Sequence, residues 1–129
     1  MHVLRPPALA LLAVLIAAFL LASCGGEAGS DPYGERDPVE VSGTSVTVEL
    51  KDIQFQPKGI KIKPGTTVTW VNKDRVVHNV RQVESVFLSQ DVMEQGDTFT
   101  FTFNEPGTYR YVCTYHHPNQ LGVVIVEAE

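Results

Sequence analysis

Apolar and polar residues alternate with a period of two through most of the chain after residue 39. The alternation is clearest at residues 46–50, 60–62 and 98–103, and Pro-Gly pairs at 64–65 and 106–107 close two of these segments. Successive side chains of a strand point to opposite faces, so this pattern is typical of half-buried β-strands. No comparable stretch repeats every 3.6 residues, although residues 85–94 could hold a short helical turn. The sequence therefore predicts an all-β fold.

The spacing of these segments narrows the fold class further. About seven to eight short strands, separated by turns, fall within roughly 90 residues of the chain, which favours an antiparallel β-sandwich over other all-β folds. Residues 39–129 are long enough for one small domain with its own core. We therefore expect a single Greek-key β-sandwich.

The N-terminal residues have the pattern of an export signal. Arg5 supplies a positive charge, and residues 8–22 form an unbroken apolar run of 15 residues. That run is shorter than the roughly 20 residues of a transmembrane helix. The sequence LASC at residues 21–24 resembles the lipobox of bacterial lipoproteins, in which the cysteine is alkylated with diacylglycerol and becomes the new N-terminus. The resemblance implies that residues 1–23 are a lipoprotein signal peptide; an ordinary secretory signal or a membrane anchor is the alternative.

Lipidation of Cys24 would hold the domain at a membrane outside the cytoplasm, on the periplasmic or outer face. Residues 25–38 are rich in Gly, Pro, Asp, Glu and Ser, a composition that buries too little apolar surface to fold alone. We expect residues 24–38 to be a flexible tether between the lipid and the folded domain.

The charge of the chain limits its partners. With 15 acidic and 10 basic side chains the net charge is −5, so the chain lacks the basic surface that nucleic-acid binding requires. An acidic domain attracts basic partner proteins instead. We expect protein partners, no nucleic acid and a monomeric state.

The sulfur and imidazole groups of the chain are few and confined. If Cys24 carries lipid, Cys113 is the only thiol of the processed chain, and in an oxidising compartment an unpaired thiol is either buried and inert or bound to a metal. Outside the leader the only histidines are His78, His116 and His117. Two of the three therefore lie within four residues of the thiol.

A thiolate and two imidazoles in a nearly trigonal plane, with a weak fourth ligand, suit copper in both oxidation states. Cys113 and His116 lie on one loop at the end of a predicted strand, so both can reach the same ion. His78 comes from a distant strand, which lets the sandwich fix the geometry. A rigid site of this kind transfers an electron with little reorganisation.

These motifs together resemble the cupredoxin family of type 1 blue copper proteins, in particular its plastocyanin and amicyanin-like members. The resemblance covers residues 66–127 and depends on VTWVNKD followed by HNV, on GDTFTFTFNEPGTYRYVC, and on Cys-x-x-His before a Gly-x-Val-x-Val strand. It implies one copper ion with His78, Cys113 and His116 as equatorial ligands, and it makes Asn79 the residue that ties the two ligand-bearing segments together. It also implies electron transfer with redox partner proteins, without substrate turnover and with His116 as the electron port.

The chain departs from the family at the axial position, where a methionine is usual. Counting back from Gly122, the glycine that opens the last strand, places Gln120 there, and its amide oxygen would resemble the axial ligand of stellacyanin-type sites. Counting forward from Cys113 as in plastocyanin places Leu121 there instead, which cannot bind a metal. Met93 could reach the copper only if its loop folded over the site.

Two other functions remain open from the sequence. His117 is either an exposed loop residue or a replacement or additional ligand, and an additional ligand would favour an open, red-copper, nitrosocyanin-like site with Glu84 as a candidate acidic ligand. The chain could also deliver copper to another exported protein, although it lacks Met and His clusters. Copper-enzyme chemistry would need a second domain or further histidines, of which only His117 is left.

Overall fold

The computed structural model describes residues 29–128, and within that range it contains nine β-strands and no helix. The strands are β1 (Val39–Glu40), β2 (Ser45–Lys51), β3 (Gln54–Gln56), β4 (Gly59–Ile62), β5 (Thr66–Asn72), β6 (Arg81–Gln82), β7 (Thr98–Phe103), β8 (Gly107–Val112) and β9 (Leu121–Val126). The all-β prediction is confirmed. The structure has one strand more than the upper expected number. The strands β1 and β6 have only two residues each, too few to show an alternating pattern in the sequence.

The strands form two sheets of a sandwich. One sheet has the order β1-β4-β9-β8-β6, and the other has the order β3-β2-β5-β7. The predicted β-sandwich is confirmed, but its strands are not all antiparallel as expected: β2 pairs parallel to β5, and β4 pairs parallel to both β1 and β9. Parallel neighbours require connections that leave the sheet and return to it, so the chain passes repeatedly between the two layers.

The hydrophobic core lies between the sheets and is centred on Trp70 of β5. The indole is fully buried and stacks against Phe87 and Phe99, with ring centroids 5.4 and 5.5 Å away. Tyr111 of β8 meets the same indole edge-on at 5.4 Å. Aromatic pairs at these separations add to the hydrophobic contribution of burial. Two residues after Tyr111, Cys113 is also fully buried, so β8 leads directly from the core to the thiol.

The segment of residues 85–94 is not helical, contrary to the expectation of a short helical turn. Arg81 forms an isolated antiparallel bridge with Leu88, and His78 forms another with Met93. Phe87 and Ser89 are buried while the residues between and beside them are exposed, so burial follows the two-residue period of extended chain. The exposed Val86 and Leu88 hide this period in the sequence because they make both faces apolar.

A close contact between β8 and β9 fixes the end of the sandwich that carries the thiol. Tyr111 and Gly122 are directly opposite each other in the antiparallel pair. A Cβ atom on Gly122 would lie 2.5 Å from Cζ of Tyr111, so only glycine allows the tyrosine ring to cross the neighbouring strand here. The start of β9, immediately after Gln120, is thereby held against Tyr111, which lies two residues before Cys113.

The predicted tether is only partly within the described range. Asp31 accepts backbone hydrogen bonds from Gly34, Glu35 and Arg36, and Glu35 forms an ion pair with Arg110 of β8. Residues 31–36 therefore contact the sandwich. The predicted signal peptide and Cys24 lie outside the described residues. In the described range no helix is long and apolar enough to span a membrane.

Candidate metal centre

Three predicted ligands converge at one end of the sandwich. His78 lies in the connection between β5 and β6, whereas Cys113 and His116 lie in the loop between β8 and β9. Their ligating atoms all lie within 4.8 Å of one another. Sγ of Cys113 is 3.8 Å from Nδ1 of His78 and 3.4 Å from Nδ1 of His116. The side chains of His78 and Cys113 are fully buried, and that of His116 is partly exposed.

These separations have the size that a shared metal ion requires. Bonds of about 2.0 Å to nitrogen and about 2.3 Å to sulfur, meeting at 120°, place their far ends about 3.7 Å apart. The two sulfur–nitrogen distances bracket that value. One thiolate and two imidazoles also form the soft and intermediate donor set that copper prefers.

Gln120 brings a fourth donor into the same cluster. Its Oε1 lies 2.8 Å from Nδ1 of His78 and 3.2 Å from Nδ1 of His116, and the side chain is fully buried. In this orientation the amide nitrogen of Gln120 has no hydrogen-bond partner. The amide oxygen of Gln120 therefore faces both histidine nitrogens, while its N–H groups have no partner. The lone pairs that converge here favour the binding of a cation between them.

The other edge of the His78 ring is occupied by a carboxylate. Oδ2 of Asp74 lies 2.8 Å from Nε2 of His78. An ionised carboxylate only accepts hydrogen bonds, so it places the proton of the ring on Nε2 and leaves the lone pair on Nδ1, which faces the thiol. Burial raises the pKa of Asp74, but hydrogen bonds from the Ile53 N–H, from His78 and from the Asp52 N–H outweigh it and hold the pKa below its usual value.

Asn79 ties the two ligand-bearing segments together, as the resemblance implied. Its side-chain Nδ2 donates to Oγ1 of Thr114 at 2.7 Å, and its Oδ1 accepts from the backbone N–H of Thr114 at 2.8 Å. Asn79 is adjacent to His78, Thr114 is adjacent to Cys113, and Asn79 is only 2% exposed. The predicted role of Asn79 is confirmed: one buried side chain sets the spacing of two candidate ligands.

The Cys113 loop is closed by its own backbone. The N–H of Cys113 donates to the carbonyl of Gln120, and the N–H of His116 donates back to the carbonyl of Cys113. The N–H groups of Asn119 and Gln120 both donate to the carbonyl of His116. The loop is therefore a compact turn that positions Cys113, His116 and Gln120 relative to one another.

Among the remaining candidates from the sequence, His117 and Glu84 do not join this cluster, whereas Met93 adjoins it through the backbone of His78. The side chain of His117 is exposed, and the metal-ligand group found in the described range includes His116 but not His117. Glu84 is exposed and pairs with Gln82. Met93 is fully buried in the core, and its backbone forms two hydrogen bonds with that of His78.

Asp74 is the residue of the site that sequence reasoning missed. It stands four residues before His78 within the polar turn NKDR, where an exposed acidic side chain is the ordinary interpretation. The spacing alone gives a weak signal, because the contact also depends on how the chain turns between residues 72 and 78.

The comparison with known proteins decides the family. The sequence profile of the copper binding proteins of the plastocyanin/azurin family matches residues 42–127. The chain belongs to this family. Amicyanin-alpha from Methylorubrum extorquens is 36% identical over 92 residues, which cover 68% of this chain and 76% of that protein. Halocyanin from Natronomonas pharaonis is 37% identical over 103 residues, which cover 76% of this chain and 61% of that protein.

Solved structures of the plastocyanin/azurin family agree with this assignment. The Cu(I) form of an amicyanin variant in which methionine is replaced by glutamine has a TM-score of 0.59 and 34% identity with this chain. The match covers 67% of this chain and 86% of that one. The predicted cupredoxin fold is therefore confirmed, and so is the prediction of copper as the cofactor.

Proposed function

We propose that the protein is an electron carrier that holds one copper ion at a type 1 centre, with His78, Cys113 and His116 as equatorial ligands. The convergence of one thiolate and two imidazoles, with sulfur–nitrogen separations of 3.8 and 3.4 Å, carries this proposal. Copper bound there supplies a one-electron couple, since thiolate suits Cu(I) and imidazole also accepts Cu(II). No substrate is turned over.

The protein contributes rigidity to this function. His78 is held through the backbone bridge to Met93, and the loop of Cys113 and His116 is closed by its own hydrogen bonds. Donors that stay in place when the metal changes its charge reduce the reorganisation that accompanies electron transfer. The partly exposed ring of His116 is the proposed electron port, with the exposed Pro118 beside it in the loop.

The proposed axial ligand is the amide oxygen of Gln120. Its distances of 2.8 and 3.2 Å to the two histidine nitrogens support this role. An amide oxygen is a harder donor than a thioether and favours Cu(II), so we expect Gln120→Met to raise the reduction potential. An unchanged or lowered potential in the variant would argue against axial Gln120.

An open, red-copper site is the second candidate, and the exposed position of His117 counts against it. Glu84, the candidate acidic ligand, is engaged with Gln82 instead. The colour of the copper protein distinguishes the two: blue or green for a trigonal thiolate site, red for a more tetragonal one.

We also propose that the domain is exported and attached to the outer face of a membrane by lipid at Cys24. The lipobox-like sequence at residues 21–24 supports this location. Cells grown with a labelled fatty acid should incorporate the label into the wild-type protein and not into a Cys24→Ser variant. A wild-type protein without the label, or an equally labelled variant, would contradict lipid anchoring at Cys24.

Copper analysis and voltammetry test the function itself. We expect one copper per chain and a reversible one-electron wave, because backbone hydrogen bonds hold the candidate ligands in place. Fast electron self-exchange between oxidised and reduced protein should accompany the wave. An irreversible wave, with Cu(I) readily lost to a chelator, would instead indicate copper delivery.

A further inference from the structure

The contact between Asp74 and His78 links the candidate metal centre to a part of the fold outside it. Nε2 of His78 meets Oδ2 of Asp74 at 2.8 Å, while Nδ1 of the same ring faces Sγ of Cys113. The side chain of His78 is fully buried, and that of Asp74 is 16% exposed. Both ring nitrogens are therefore engaged, one by the carboxylate and the other by the candidate metal position.

The carboxylate is itself held in place by the hairpin that joins β2 to β3. Oδ1 of Asp74 accepts from the backbone N–H of Asp52 at 2.9 Å, and Oδ2 accepts from that of Ile53 at 3.0 Å. The N–H of Asp74 donates to Oδ1 of Asn72 at 2.8 Å, which fixes its backbone as well. These bonds leave the carboxylate little freedom to turn away from the imidazole.

The turn between β2 and β3 has a strained backbone, and its hydrogen bonds to Asp74 account for that conformation. Asp52 and Ile53 have φ angles of 54° and 56°, the left-handed conformation that a two-residue hairpin turn of this type demands. Aspartate tolerates that region, but a β-branched isoleucine rarely adopts it. Strained backbone that persists in a structure tends to occur at functional sites. Here the strained turn directs two N–H groups at the carboxylate that contacts His78.

We propose that Asp74 is a positioning residue for the copper centre, which orients His78 through its Nε2–H group and strengthens Nδ1 as a donor to Cu(II). The proposal rests on the proposed copper function. Carboxylates that accept the second N–H of a metal-bound histidine fix its tautomer and raise its basicity. A more basic imidazole stabilises Cu(II) more than Cu(I), so Asp74 lowers the reduction potential.

The test is made in a variant whose β2–β3 turn is free of backbone strain, so that a change at Asp74 is less able to disrupt the turn. Ile53→Gly relieves the strain, because glycine adopts positive φ readily, and it keeps the N–H group. We compare Ile53→Gly with Ile53→Gly/Asp74→Asn in the copper-loaded protein by voltammetry. Asparagine keeps an oxygen acceptor and removes the charge, so the Cu(II) affinity should fall about ten-fold relative to that of Cu(I), a rise of about 59 mV in the one-electron potential.

A copper-free measurement gives an independent result. Nitrogen-15 NMR of the His78 ring should show the proton on Nε2 in the wild type, and Asp74→Ala should shift the signals toward a mixture of tautomers. An Ile53→Gly/Asp74→Asn protein whose potential equals that of Ile53→Gly would overturn the proposal, as would an unaltered ring tautomer in Asp74→Ala. Failure of the copper function itself would look different, since the wild type would then show no reversible wave at all.

Discussion

The segment that carries His78 and the loop that carries Cys113 and His116 hold their candidate ligands in different ways. His78 is fully buried and is fixed by distant parts of the fold: Met93 through the backbone and Asp74 through the second ring nitrogen. The Cys113 loop is fixed mainly by hydrogen bonds among its own residues, and His116 is partly exposed. One region therefore provides a candidate ligand buried in the sandwich, and the other provides a candidate ligand accessible from solvent.

The difference between the regions indicates a division of tasks. In the proposed copper centre, the buried imidazole of His78 would exclude water from the metal. The ring of His116, which is held at the surface by a compact turn, would bring the site close to a partner protein. Gln120 contacts both histidines and so lies where the two regions meet.

Removal of each histidine gives the largest expected effect and tests the comparison directly. His78→Gly and His116→Gly should both abolish the charge-transfer absorption of the copper protein. Each should also lower the copper affinity by more than about 100-fold, the upper end of the loss caused by removing a residue that only contacts a ligand. Added imidazole should restore the absorption of His116→Gly, because the vacated space opens to solvent. The space left by His78 is enclosed, so His78→Gly should not recover. Equal recovery of both variants would remove the distinction between the regions.

Removal of the side chain that links the His78 segment to the Cys113 loop should have the next largest effect. Asn79→Ala removes the side chain that joins them and leaves the Thr114 N–H and hydroxyl without their partner. The free energy of unfolding of the copper-free protein should fall by about 1–3 kcal/mol, measured by denaturant titration. Asn119→Ala is the matched control, since Asn119 is exposed in the same loop, and it should change stability by no more than about 0.5 kcal/mol. A similar loss in both variants would mean that Asn79 does not join the segments.

The smallest effect concerns the histidine beside the proposed port. His117 is exposed and outside the ligand cluster, so His117→Ala should leave the visible spectrum and the reduction potential unchanged. A change of colour in this variant would instead assign His117 to the metal and favour the open-site alternative.

The sequence alone predicted much of this fold, because alternation marks strands that are half-buried. It missed β1 and β6, which have two residues each, and β3, which has three. It also suggested a helical turn at residues 85–94, where exposed Val86 and Leu88 obscure the alternating burial. The parallel pairing of β2 with β5 was also missed, since alternation gives the faces of a strand and not its neighbours.

The sequence also predicted which candidate ligands come together, because Cys113 and His116 are close in the chain and the family motifs supply His78. Asp74 could not be predicted in the same way. Its contact with His78 depends on the Asp52–Ile53 turn, which belongs to a hairpin about 20 residues earlier and whose backbone conformation is unusual for isoleucine.

The visible absorption of copper-loaded wild type and Cys113→Ser protein tests the central claim most directly. An intense band from sulfur-to-copper charge transfer is expected in the wild type, because the thiolate of Cys113 lies beside both imidazoles. The serine variant should lose that band and bind Cu(I) more weakly, since a hydroxyl is a harder donor. A serine variant with the same band and the same copper affinity would contradict the assignment of Cys113 as the ligand on which the site depends.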